Sequence, residues 1–358
     1  MTGYDYGNAR LRARRAALLR REQYAGLLSR DLPGLLAALA ETSYRPQAEA
    51  AAGASGGQLG LLYRMARDHL ATALADVAGF YHDWAGEAVA ALLGRFDLHN
   101  VLTLLRAAHH GGAEATAGAA LLPVGRLDAR TAREAASRPD LPAAARLLAG
   151  RRLPDPDSAA TLLAAAHRYE IDTSLAAVEH AVARSARAHQ LRVLTTAGVA
   201  AEPAAAALRR ETDDLNLLLA LRLREAANGQ AAGSTPGTAG PPYLPGGTVP
   251  DGRFATIQHA LARADVLAAA APAPARWQSP LATWAEEGDL ATLHTSLEAE
   301  RLRAELRLLL SADPLGAAVV VYHVLAHQAQ ARNIRLLAQA AAGAIGHEAV
   351  RHQLITPV

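Results

Sequence analysis

Asn100, Asn216 and Asn333 occupy matching places in three apolar stretches, 116 and 117 residues apart in a chain of 358. Their surroundings agree. Phe-Asp-Leu-His-Asn-Val-Leu-Thr-Leu-Leu-Arg runs over 96–106 and Thr-Asp-Asp-Leu-Asn-Leu-Leu-Leu-Ala-Leu-Arg over 212–222; Gln-Ala-Arg-Asn-Ile-Arg-Leu-Leu fills 330–337. A second landmark keeps step with the first: Leu122-Pro-Val-Gly125 recurs as Leu244-Pro-Gly-Gly247, 122 residues on. Tyr6, Pro123 and Pro245 lie 94, 93 and 88 residues before their respective Asn. Pro presets φ for a turn, and Gly two places later accepts backbone conformations that other residues resist. Each such turn therefore closes one copy of a unit and opens the next. A unit used three times must bury its faces against its own copies, which favours a shaped body over a single cleft. The expected units are 1–120, 121–241 and 242–358.

Composition sets the type of unit. Ala, Leu and Arg are abundant, whereas aromatics make up only 4% of the chain. Those residues favour helix, and the β-branched and aromatic residues that favour strands are sparse, so the expected fold class is all-α. With no Cys, thiol chemistry, disulfides and Cys-bound metals are excluded. All 36 basic residues are Arg and the formal net charge is only +2, so the chain is not a generally basic protein. The N-terminus carries six Arg between Arg10 and Arg21 where a signal peptide would need an apolar core. That patch lacks interleaved aromatics and acids follow it, so it reads as a solvated face or protein interface; no nucleic-acid partner is expected. The apolar stretch 314–331, without Arg, Asp or Glu, begins at a Pro and contains two His and two Gln. It reads as a buried helix, with no membrane span expected.

Hydrophobic spacing places helices near 8–30, up to Ala40, and over 58–77, 81–94 and 96–110. In the second unit they fall near 126–149, 157–168, 170–189 and 211–227. The third has 253–270, 281–311, 314–330, 331–342 and a short last helix ending at Leu354. Asp313-Pro314 reads as an N-cap followed by Pro in the first turn. The segment 229–252, with seven Gly and five Pro, reads as a loop.

In this order, the words resemble the C subunit of V/A-type rotary ATPases, the counterpart of eukaryotic V-ATPase subunit d. Four passages carry the resemblance: Tyr6-Gly-Asn-Ala-Arg-Leu-Arg-Ala, followed by Leu39 to Tyr44; Phe96-Asp97 with Asn100; Glu211-Thr-Asp213 with Asn216 and Arg222; and Tyr322 through Asn333-Ile-Arg335, then Gly343 and Leu354. One departure is Gln330, where the family usually has an acid three residues before the Asn. The resemblance implies three similar helical domains around a pseudo-threefold axis, forming a funnel without an active site. It implies a monomeric rotor part that stands on the membrane proteolipid ring, receives the foot of the central shaft and carries torque. It also implies a place at the cytoplasmic face of the membrane, with no cofactor.

The residues themselves allow two readings. Asp97 and Asp213 are N-caps, with Asn100 and Asn216 as polar partners in the first turn of an inner helix; or these residues, with Asn333 and Arg335, line the funnel and touch the shaft. The capping reading is the more economical. Arg106 and Arg222, six residues beyond their Asn, pair with acids of a neighbouring unit or are solvated. His323 and His327 have the helical spacing of a metal pair, but no Glu lies between them; His109-His110 reads in the same way, and no metal is expected. Asp213-Asp214 lacks the further Asp that a magnesium-diphosphate motif needs, and Gly246-Gly247 lacks the Gly-Lys-Ser/Thr of a phosphate loop. The loops 111–125 and 229–252 are candidates for the ring-facing rim. An unrelated helical-repeat scaffold and an all-α enzyme are the alternatives.

Overall fold

The computed structural model describes residues 3–52, 57–111, 120–229 and 243–357, and among these it is helical with no strand. A first helix, α1 (Asp5–Arg14), precedes three successive runs of five. The first run is α2 (Arg21–Leu28), α3 (Leu32–Ala40), α4 (Arg45–Ala52), α5 (Gln58–Ala75) and α6 (Asp83–His109). The second is α7 (Ala129–Ala136), α8 (Leu141–Gly150), α9 (Pro156–Asp172), α10 (Leu175–Thr196) and α11 (Glu202–Gly229). The third is α12 (Asp251–Gln258), α13 (Arg263–Ala270), α14 (Gln278–Glu287), α15 (Leu290–Leu310) and α16 (Ala318–Ala341), before the short α17 (His347–Gln353). Each run begins with short helices and ends with long ones; the fifth helices have 27, 28 and 24 residues.

Local chemistry starts many of these helices. Asp31, Asp128 and Asp140 each accept a hydrogen bond from the backbone N–H three residues on, and Asp155 and Asp289 cap α9 and α15 in the same manner. Pro in the first turn of α3, α8 and α9 fixes φ where no intrahelical N–H is needed.

Packing then links the runs in a cycle. The fifth helix of each run lies against the fourth helix of the next: α6 on α10, α11 on α15, and α16 on α5. An open solenoid has no contact between its first and last repeats; here the last run packs on the first. The apolar clusters follow the same plan. Ala85 to Phe96 of α6 belong to a central cluster shared with α5, α16 and the start of α11, whereas Val101 to Leu105 of the same helix belong to the core of the second run. Likewise Ala204 to Leu208 of α11 join the central cluster, and Leu217 to Leu221 join the core of the third run. Helix α16 is buried from Ala318 to Ile334 except at Gln328, and the polar side chains it buries include His323, His327, Gln330 and Asn333.

The expected helices differ from the observed ones where the sequence lacks punctuation or carries it unrecognised. The expected pair 81–94 and 96–110 is one helix that runs through Gly94, and the pair 314–330 and 331–342 is one helix because no Pro or Gly interrupts it at the supposed joint. The expected helices 8–30, 126–149, 253–270 and 281–311 each divide at a capped turn. Asp313 does not cap a helix: its carboxylate accepts from Leu315 N in a turn that precedes α16. Among the described residues one helix, α6, has the length and composition of a membrane span, but it is largely buried in the fold and carries the buried Asp97 and Asn100. Much of the two candidate rim loops, 112–119 and 230–242, lies outside the described residues.

Candidate functional site: a repeated backbone clamp at the joints between runs

The three Asn side chains do the same thing. Each is buried, and each amide pairs with both main-chain polar groups of one residue further along the chain. Asn100 Nδ2 donates to Leu122 O (2.6 Å), and Leu122 N donates back to Asn100 Oδ1 (2.8 Å). Asn216 holds Leu244 in the same way at 3.0 and 2.7 Å, and Asn333 holds Ile355 at 2.7 and 3.1 Å. A side-chain amide offers one donor and one acceptor in the geometry of a peptide group, so it substitutes for a neighbouring strand. Asn100 and Asn216 stand where their long helices pass from the central cluster into the next core. The clamped residues open the two Leu-Pro turns, and in the third case the C-terminal Ile355-Thr-Pro357.

The residue three before each Asn completes the joint. Asp97 accepts from Arg126 N and Leu127 N at 2.9 Å, and Asp213 accepts from Thr248 N at 2.8 Å and Val249 N at 3.0 Å. Leu127 and Val249 stand just before the first helix of the following run. Gln330 Oε1 accepts from Leu19 N at 2.7 Å, and Leu19 stands just before α2, the first helix of the first run. The contact made by the acids is thus kept at Gln330, and it joins residues 311 apart in sequence. A neutral amide suffices there because the preceding amide, Leu18 N, is already bonded to Arg15 O within a short 3-10 turn. Asp97 and Asp213 must satisfy two successive N–H groups, which two carboxylate oxygens do better than one amide oxygen. Burial still raises the Asp97 carboxyl to about 6, against the lowering effect of the Arg126 and Leu127 N–H groups.

The approach is close enough to select the turn residues. Gly125 has φ +98°, and a β-carbon there would strike the Asp97 carboxylate; one on Gly247 would strike that of Asp213.

The N-cap reading of Asp97 and Asp213 is therefore overturned, and Asn100 and Asn216 do not mark a helix start. All four lie deep within α6 and α11, and the backbone they cap belongs to the next segment. Arg106 pairs with Glu179 of α10, the longer of its two contacts being 3.1 Å, while Arg222 and Arg335 are exposed.

A family model described as ATP synthase (C/AC39) subunit matches residues 7–353. The chain belongs to the ATP synthase C/AC39 subunit family. None of the curated proteins compared with the chain matches it. In this C/AC39 chain the position six before each Asn faces the fourth helix of the next run with different chemistry at each seam. Gly94 lies against Gln190; Arg210 pairs with the buried Glu305, its second contact being 2.7 Å; and His327 lies 5.9 Å from His69, ring centre to ring centre. At the last seam Tyr44 stacks on His69 at 3.9 Å and Gln330 Nε2 stands 3.2 Å from His69 Nε2. His323, the other member of the suspected metal pair, sits 4.5 Å from His327 with Nε2 3.3 Å from Ala73 O. Burial holds His69 and His323 down at about 4 and pushes His327 well below the ordinary imidazole range.

Among the described residues, the one group of three side chains with metal-ligand spacing is Asp155, Asp157 and His189. Asp155 is occupied as the cap of α9, and Asp157 bonds His189 Nδ1 at 2.8 Å and pairs with Arg192. A guanidinium thus already fills the place of a cation.

Proposed function

We propose that this subunit is the non-catalytic coupler of a V/A-type rotary ATPase, seated between the membrane proteolipid ring and the central shaft. The observation that supports this best is the cyclic contact set: three runs, each with five described helices, joined by three equivalent clamps, the last returning from Gln330 to Leu19. On this reading the expected units 1–120, 121–241 and 242–358 are the three walls of a funnel with pseudo-threefold symmetry. The clamps suggest that the working joints fall at Leu19, Leu127 and Val249.

Torque transfer needs a body that does not yield between its two attachment points. Close-packed interiors transmit strain, and bidentate clamps on buried backbone keep each wall from sliding against the next. On this account Asp97, Asn100, Asp213, Asn216 and Asn333 stiffen the wall joints, and the exposed Arg222 and Arg335 are left to face partners. The chain would sit at the cytoplasmic face of the membrane, as a monomer within the complex.

Mixing the purified chain with the shaft subunits of the same ATPase should give a complex that co-elutes in size-exclusion chromatography, without ATP hydrolysis by the chain itself. Separate elution at micromolar concentrations, or ATPase activity of the chain alone, would overturn the proposal.

A further inference from the structure

We infer that the junction of the three runs is a receptor for an oxyanion. The inference rests on the three-walled reading above, since it places the site where the walls meet. The position five before each Asn holds Arg95, Glu211 and Gln328. Arg95 Nη2 lies 3.5 Å from Glu211 Oε2 although the two belong to different runs, so these positions face one another across the centre. Gln328 is the one residue of α16 between Ala318 and Ile334 that is not buried.

Charge here does not balance. Arg187 of α10 also reaches Glu211 Oε2, at 3.1 Å, so two guanidinium groups share one carboxylate oxygen. Close by, Asp214 is shared by Arg276 at 2.8 Å and Arg301 at 3.3 Å, and Arg210 pairs with Glu305. Five guanidinium groups thus surround three carboxylates. The Arg95 and Arg187 side chains are only 9% and 5% exposed, and the Nε of each has no hydrogen-bond partner. Desolvated cations without a full set of acceptors are costly, and guanidinium forks match the oxygens of carboxylate and phosphate. Solvent reaches the cluster through Glu211 and Arg210, whose side chains are 20% and 27% exposed. The ligand class is a group with two or more anionic oxygens: a carboxylate presented by a partner chain, or free phosphate.

The test uses thermal unfolding of the full chain in phosphate against chloride at matched ionic strength. Phosphate at several times its Kd should raise the wild-type Tm by about 1–3 °C over chloride. Arg187→Gln should abolish that increment, and Glu211→Gln, which leaves more positive charge unopposed, should enlarge it. Opposite signs from two neutral substitutions separate a binding site from mere damage to the fold. Equal Tm values in the two salts, or the same increment in all three proteins, would overturn the inference. The source is decided in the assembled complex. If a partner carboxylate fills the site, phosphate will weaken wild-type co-elution with the shaft subunits relative to chloride; if free anion fills it, co-elution will be unaffected. Because the Tm arm needs no partner, failure of the coupler proposal leaves its outcome readable.

Discussion

Replacing Asn333 with Leu is the most direct test of the clamps. The side chain keeps its size, but Ile355 loses a partner for both its N–H and its C=O, and both bonds are fully buried. A buried main-chain group left unsatisfied costs about 1–3 kcal/mol, so two would cost about 2–6 kcal/mol if the tail stayed in place. The tail can instead detach. That forfeits the burial of Ile355, about 1.5–3 kcal/mol, together with the bonds from Tyr322 to Pro357 O and from Arg332 to Gln353 O. The cheaper route sets the outcome, which puts the loss at about 2–4 kcal/mol. Asn100→Leu and Asn216→Leu should cost less, by about 1 kcal/mol, because their bonds are only partly buried and water can replace the lost partner. Urea unfolding gives the energies, and native-state hydrogen exchange at the Ile355 amide reports the clamp itself. If Asn333→Leu lay within about 0.5 kcal/mol of wild type with Ile355 protection unchanged, the clamp would be incidental to stability and the reasoning would fail.

Acidification should loosen the last seam. His69 and His323 are held down at about 4, so between pH 6.5 and 4 the unfolded chain binds protons that the folded chain refuses, at about 3 kcal/mol per histidine. Asp97, raised to about 6, works the other way and returns about 3 kcal/mol as pH falls from 6 to 4; denaturant midpoints should fall over that range in wild type and fall less in His69→Gln. Gly125→Ala should cost about 2 kcal/mol or more, since it combines a positive φ with a collision at Asp97, and thermal unfolding would show it. Arg210→Leu strands Glu305, only 1% exposed, and should cost about 3–5 kcal/mol, much of it restored when Glu305→Leu is added; a double-mutant cycle checks this.

The helical class and the threefold recurrence were legible because both are properties of local sequence. So was the pairing of landmarks, with each Leu-Pro turn following its Asn. What the words did not disclose is that the landmarks touch. Asp97 and Asn100 read as capping residues because local rules supply only local partners, whereas their partners lie 22 to 30 residues on. The recurrence of a Leu-Pro turn after two of the Asn was the available signal. Gln330 looked like a lapse because the equivalent segment for the third run lies at the start of the chain, 311 residues before it. The central charge imbalance was also out of reach, since Arg95, Arg187, Glu211 and Arg301 are scattered over three runs and converge only in space.

The bond from Leu19 to Gln330 also sets a timetable for synthesis. The first run is complete once α6 has emerged, yet the helix that covers α5 is α16, which is made almost last. Until then α5, with the buried Leu62, Met65 and Ala66, is packed by α3 and α4 of its own run but lacks its largest partner. A nascent chain therefore carries an open apolar flank throughout most of its translation, and any truncation before α16 leaves that flank permanently exposed. Contacts this distant in sequence also form slowly, so the closing seam should be the last part of the molecule to become protected after dilution from denaturant.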